Sequence, residues 1–559
     1  MDMFVSSRRA RMGGECVGVL MSRLLQRLLK LPEPETRDLV VDRGLRVEMR
    51  DGAVLLADRW SPSRGGDGLP VALLRCPYGR SAGLWVRPLA ERGFQVLIQS
   101  TRGTFGSGGR FVAYTRERED GLDTLNWIAD QPWFGGSVVL VGGSYLGYSQ
   151  WAVADAAPPF VAAMVPTSTE SAQSLEFLRA DGFSLETPFG WAMLMSRQEE
   201  RLGRVRHVLA RRRDRRALDT LPLAQADLAA RGCRSDHFRD VLDHEAGDPF
   251  WTDLDHRRQV PEIEVPVSSV GGWYDLFLPG QLRDFQILQG AGRAARLTVG
   301  PWTHASVAGS IGTATREALD FGLPHARRET PTARAPVQLF VMGQGRWRDF
   351  SSWPPPGYTD ERFHLRAGGR LSTAPPGTAT SGSTAPDTYR YDPRDPTPAV
   401  GGIRLSGSAG RVDNRRLEAR PDVLIYTSDR LGEDIEVIGE VRADIFFRSS
   451  LPHADVFVRL CDVDARGRSW NVCDGLTSSS GTDDMTTVAV RLWPTAYRFA
   501  RGHRIRVQVS SGAFPRFDRN LGSGEARGQA QTPRPAEQRV FHDRAHPSAV
   551  ILPVRRSTS

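Results

Sequence analysis

The sequence predicts an α/β domain with a helical insertion, followed by an all-β domain. Strand-like and helix-like patterns alternate from about residue 37 to 170 and again from 256 to 330, as in a sheet flanked by helices. Between those blocks, residues 171–255 turn helical and charge-rich. Beyond a linker rich in Ala, Thr, Arg and Pro at 329–335, the chain to about 555 breaks into many short β-rich runs with Gly and Pro turns, the pattern of a sandwich or jelly roll.

The first block opens with Leu39–Val41, Leu45–Met49 and Val54–Ala57, then runs through core strands ending at Tyr78 and Ser100. Ser137 to Val141 reads as a short, fully buried strand, and Tyr148, Trp151, Ala152 and Ala154 begin a helical pattern. Between them, GGSYLG sets Ser144 on a sharp turn, with Gly142 and Gly147 where strand and helix crowd it. A residue strained at such an elbow pushes its hydroxyl out of the sheet, and the next backbone N–H, that of Tyr145, can donate to a developing oxyanion. The spacing departs from G-x-S-x-G, because Leu146 stands where the second glycine belongs and Gly147 follows it. By itself the motif fits an ordinary glycine-rich βα turn equally well.

Two further segments complete a set in the order that α/β-hydrolases use, serine, then acid, then histidine. Val265 to Val270 is a β-rich run ending in Gly271 and Gly272, which puts Asp275 in the loop past the strand. Leu297 to Val299 is a second, ending in Gly300 and Pro301, with His304 just beyond. Open α/β sheets place their sites beyond the carboxyl ends of strands. An imidazole of pKa about 6.5 can take the serine proton near neutrality, while an aspartate holds its tautomer and stabilises the imidazolium.

The insertion at 171–255 falls between nucleophile and acid, where it can roof the site as a cap. Its apolar signals are Leu175, Phe177 and Leu178, then Trp191, Met193, Leu194 and Met195, and Phe183, Phe189 and Trp191 are candidates for an acyl pocket or for cap core. His207, His237, His244 and His256 read as surface or core residues of this segment.

At this point the chain resembles the cocaine esterase and X-Pro dipeptidyl-peptidase family of serine hydrolases. The resemblance runs from about residue 40 to the end and rests on RCPYGR, RGTFGSGG, DGLDTLNWIADQPWFGG, SYLG, GGWYDLF, GPWTH, YDPRDPTPAVGG and HPSAVILPV. It implies an α/β-hydrolase domain with a helical cap and a C-terminal jelly roll, a triad of Ser144, Asp275 and His304, and Tyr78 as second oxyanion donor through its phenol. Arg102, Gly103 and Asp120 match as structural pieces. Where relatives acting on α-amino acid esters carry acids shortly after the triad aspartate, this chain has Leu276, Phe277 and Leu278. That apolar run favours a neutral acyl group with Phe277 as a contact, since an ammonium buried there would lack a partner. Glu186, Glu199 and Glu200 in the cap keep dipeptidyl-peptidase activity as the alternative, and an inert carbohydrate-binding protein is a second.

Composition narrows the remainder. The 559 residues carry a formal charge of +8, spread along the chain apart from RVRHVLARRRDRRALDT, whose Val205, Val208, Leu209, Ala210 and Leu218 suggest a solvated helix rather than a nucleic-acid surface. Five widely spaced cysteines without a CxxC pair imply neither a disulfide framework nor a metal site, and no cofactor is expected. The apolar stretch at Val17 to Met21 is short for a secretory leader, and no run is long enough to span a bilayer, so a cytoplasmic location is expected. Residues 1–36 form an extension whose Leu24, Leu25, Leu28 and Leu29 suggest a docking helix. The expected partner is a small ester, amide or short peptide, with no nucleic acid and no membrane, and homo-oligomerisation is left open.

Overall fold

The computed structural model describes residues 9–11, 15–81, 83–172, 182–245, 247–377, 385–405 and 407–556. Leu175, Phe177 and Leu178 lie outside them.

The N-terminal domain is built on one sheet with strands β1 (Arg9–Arg11), β2 (Leu39–Glu48), β3 (Val54–Pro62), β4 (Val71–Cys76), β5 (Gln95–Ser100), β6 (Val138–Gly143), β7 (Val161–Thr167), β8 (Val267–Tyr274), β9 (Ala295–Thr303), β10 (Val337–Val341) and β11 (Arg346–Phe350). Their order is β1-β2-β3-β5-β4-β6-β7-β8-β9-β10-β11. From β5 to β10 every pairing is parallel, and the outer strands close the edges antiparallel.

The central strands are apolar on both sides because both faces are covered by helices. Leu74, Val96, Val139 and Val165 face one helical layer with Ala314 and Ala318, while Leu73, Leu97, Leu140 and Met164 face Leu125, Ile128 and Leu288 on the other. That alternation explains why Ser137 to Val141 reads as a continuous buried run rather than an amphipathic one.

The strand at Val337–Val341, which sequence patterning assigns to the β domain starting at 335, pairs in parallel with β9 through Val337 and Leu297. It and β11 therefore extend the first sheet past the expected linker. Val337, Leu339 and Val341 bury one side in a core continuous with the second domain.

The second domain is mainly antiparallel β. One of its longest strands is Ile435–Ser449, with a bulge between Gly439 and Val441. The Met342 N–H donates to the Ala496 carbonyl and the Arg498 N–H to that of Met342, joining the two domains.

The described part of the insertion holds helices Glu186–Met195, Gly203–Ala217, Ala226–Arg231 and Asp236–Asp243. Phe189, Phe238, Val241 and Trp251 form its core, to which Phe514 of the β domain contributes. Glu186 accepts two bonds from the Arg404 guanidinium at 2.6 and 2.7 Å, so the cap rests on the second domain through a charged clamp. In the N-terminal extension, Glu15–Leu29 is a helix that docks Leu25 and Leu29 into the body.

Candidate active site

Four side chains converge at the carboxyl ends of parallel strands: Tyr78 two residues after β4, Ser144 after β6, Asp275 after β8 and His304 after β9. Ser144 has φ 57° and ψ −123°, a positive-φ conformation costly for a residue with a side chain, between β6 and the helix Tyr145–Trp151. Gly142 explains how the displaced glycine is tolerated. Its φ is 142°, and a Cβ there would lie 2.5 Å from the Leu146 Cβ, so the leucine occupies space that only glycine leaves. Gly147 meets a different constraint, since its Cβ would fall 2.3 Å from Thr169 Cγ2.

His304 Nε2 lies 3.1 Å from Ser144 Oγ, and its Nδ1 lies 3.0 Å from Asp275 Oδ2. Asp275 is fully buried, and its other carboxylate oxygen accepts the Phe277 N–H at 2.9 Å. The Phe277 ring packs against His304 with centroids 5.5 Å apart. Trp493, which sequence reasoning missed, donates its indole N–H to the Asp275 carbonyl at 3.3 Å, so a β-domain strand helps fix the Asp275 backbone.

Tyr78 lines the same cavity as Ser144, and its hydroxyl accepts the Trp191 indole N–H at 3.0 Å. Burial pushes the phenol's pKa up, which keeps it a neutral donor. The Tyr145 N–H opens its helix and makes no hydrogen bond among the described residues, as expected for an N-terminal amide. Its side chain works elsewhere: the Tyr145 hydroxyl donates to Glu117 at 2.7 Å and accepts the Tyr114 N–H. Arg102 grips Asp120 with two bonds of 3.0 and 2.6 Å, anchoring the loop before the elbow.

These groups open into a cavity of about 880 Å³ roofed by the cap. Phe277 and Trp191 line it, and Phe189 reaches its wall from the cap core, edge-on to Phe238 at 5.1 Å. Phe183, also expected there, lies instead in the seam between cap and β domain, beneath the Arg527 guanidinium. Two histidines expected to be surface or core line the cavity, His207 and His237. The His237 ring meets Trp191 at 4.5 Å, and burial drives its pKa down to about 4, so it faces the cavity uncharged. Only the folding of helix Asp236–Asp243 against Trp191 reveals it, because a histidine between charged neighbours carries no local signal. Among the described residues, no group of three or more His, Cys, Asp or Glu is placed to hold a metal ion.

Residues 51–306 match the family model for X-Pro dipeptidyl-peptidase (S15 family), and residues 330–551 match that for the X-Pro dipeptidyl-peptidase C-terminal non-catalytic domain. The chain is 33% identical to cocaine esterase of Rhodococcus sp. (strain MB1 Bresler), over 92% of this chain and 98% of that one. It is an S15-family serine hydrolase. The fold of this S15 hydrolase is shared with an aminopeptidase from the marine sediment archaeon Thaumarchaeota archaeon, at a TM-score of 0.79 and 21% identity over 92% of this chain and 96% of that one. An α-amino acid ester hydrolase gives a TM-score of 0.78 at 21% identity, over 92% and 97%.

Proposed function

We propose that this hydrolase cleaves carboxylic esters of hydrophobic acids through an acyl-enzyme, with Ser144 as nucleophile, His304 as general base and then acid, and Asp275 orienting the imidazole. The observation that carries the reading is the unbroken chain from Asp275 through His304 to Ser144, at 3.0 and 3.1 Å. Attack of Ser144 Oγ transfers its proton to His304 Nε2, while Tyr78 and the Tyr145 N–H face the oxyanion side. Collapse of the tetrahedral species passes that proton to the leaving alkoxide, and water, deprotonated by His304, releases the acid.

The cap glutamates weigh against N-terminal peptide recognition. Glu186 is clamped by Arg404, Glu200 pairs with Arg206 and Arg231, and Glu199 accepts the Phe105 N–H. Leu276 and Phe277 line the cavity and Leu278 is buried in the core. One observation favours the amine-binding alternative: Asp240 lines the cavity without an ion pair among the described residues. The proposal places the enzyme in the cytoplasm, where free thiols such as Cys76, Cys233, Cys461 and Cys473 persist.

Mass spectrometry after fluorophosphonate treatment, beside a short-chain p-nitrophenyl ester assay, tests the assignment. Wild type is expected to take one adduct and turn over the ester, and folded Ser144→Ala to take none and lose about 10⁴-fold or more in kcat. Retained turnover in that variant would sink the proposal.

A further inference from the structure

The cap helix Gly203–Ala217 has two unlike faces. Its inner side supplies His207 and Asp214 to the cavity wall, with Asp214 held by Arg197 through bonds of 2.7 and 2.8 Å. On the outer side stand Val205, Val208 and Leu209, with Leu202 just before the helix, and all four are exposed, Leu209 at 78% and Leu202 at 69%. Helical spacing interleaves them with Arg206, Arg212, Arg213 and Arg216 on the same arc. Arg206 pairs with Glu200, whereas Arg212, Arg213 and Arg216 have no ion pair among the described residues. The sequence reads as a solvated face, but a solvated face has no use for four bare aliphatic side chains.

Charge and shape select the occupant. A second copy of the chain would bring arginine against arginine in a two-fold contact, which is repulsive. A nucleic acid would leave the aliphatic groups idle, and the outer face carries no aromatic residue on which a base could stack, the one ring of the helix, His207, lying on the cavity side. An anionic lipid surface satisfies both kinds of group: valine and leucine side chains enter the acyl boundary while arginine stems lie alongside and the guanidinium groups meet phosphate. Arg211 and Arg215 are exposed and also line the cavity, so its rim adjoins this face.

We propose that the outer face of helix Gly203–Ala217 docks on an anionic lipid surface and holds the cavity mouth against it. No helix among the described residues is long and apolar enough to cross a membrane, and the docking is peripheral. Esters dissolved in that surface then reach the cavity without crossing bulk water.

Flotation with vesicles of phosphatidylglycerol and phosphatidylcholine in equal parts, against pure phosphatidylcholine, tests the docking without reference to catalysis. Wild type is expected to float with the anionic vesicles only and to be released by high salt. Val205→Ser/Leu209→Ser and Arg212→Gln/Arg216→Gln are each expected to weaken binding about tenfold or more, while turnover of a soluble short-chain ester, unchanged in both, reports an intact fold. Wild type left in the soluble fraction, or binding retained by both variants, overturns the proposal. So does retention on immobilised RNA that survives the serine variant without flotation, or a dimer in light scattering that the serine variant abolishes without flotation.

Discussion

Trp191 donates its indole N–H to the Tyr78 hydroxyl oxygen across 3.0 Å, so a cap residue decides where the phenol's own proton can point. On the proposed mechanism, occupying that lone pair leaves the phenol's proton for the oxyanion formed at Ser144. Tyr78→Phe is expected to lower kcat by about 10²–10³-fold with little change in KM, as for loss of one oxyanion donor. Trp191→Phe keeps the ring and removes only the donor, and a smaller loss in kcat is expected. Equal kcat in Tyr78→Phe and wild type would remove the phenol from the mechanism.

Gly142 and Leu146 depend on each other at the elbow. Gly142→Ala combines a positive φ with a 2.5 Å approach to Leu146 and is expected to destabilise by more than about 1 kcal/mol. Adding Leu146→Gly clears the contact, so the double variant should regain part of the denaturation midpoint. A double variant less stable than Gly142→Ala would show that Leu146 packing outweighs the clash.

Asp240 separates the two substrate readings. If the acyl group is neutral, Asp240→Asn leaves kcat/KM unchanged for simple aryl esters and for α-amino esters alike. A selective loss of about tenfold or more on α-amino esters would show that this carboxylate holds an ammonium and would turn the reading toward amine-bearing substrates.

Asp518 predicts a pH dependence of stability in the seam between cap and β domain. Burial raises its pKa to about 6, with Arg527 opposing the shift and Asp455 adding to it. The folded chain then holds this proton more tightly than the unfolded chain, whose aspartate titrates near 3.9, so stability falls as pH rises through that window and stays lower above it. Asp518→Asn should therefore raise Tm at pH 7.5 and change it little near pH 4. An equal shift at both values would trace the effect to packing instead.

The sequence by itself determined the order of the α/β elements, the elbow at Ser144 and the positions of Asp275 and His304, because each follows a run of β-rich residues whose end is marked by glycine or proline. Those are local signals: periodicity and turn chemistry act over a few residues and survive in a linear reading. Tyr78 was legible only through family resemblance, since a tyrosine after a strand has no pattern of its own. Tertiary structure alone decided that Val337–Val341 joins the first sheet, that Trp493 holds the Asp275 backbone from the other domain, and that His237 and Asp240 face the cavity. Each of these depends on contacts between residues far apart in the chain, or on which side of a helix finds a neighbour. Packing settles such matters over distances that local sequence does not encode.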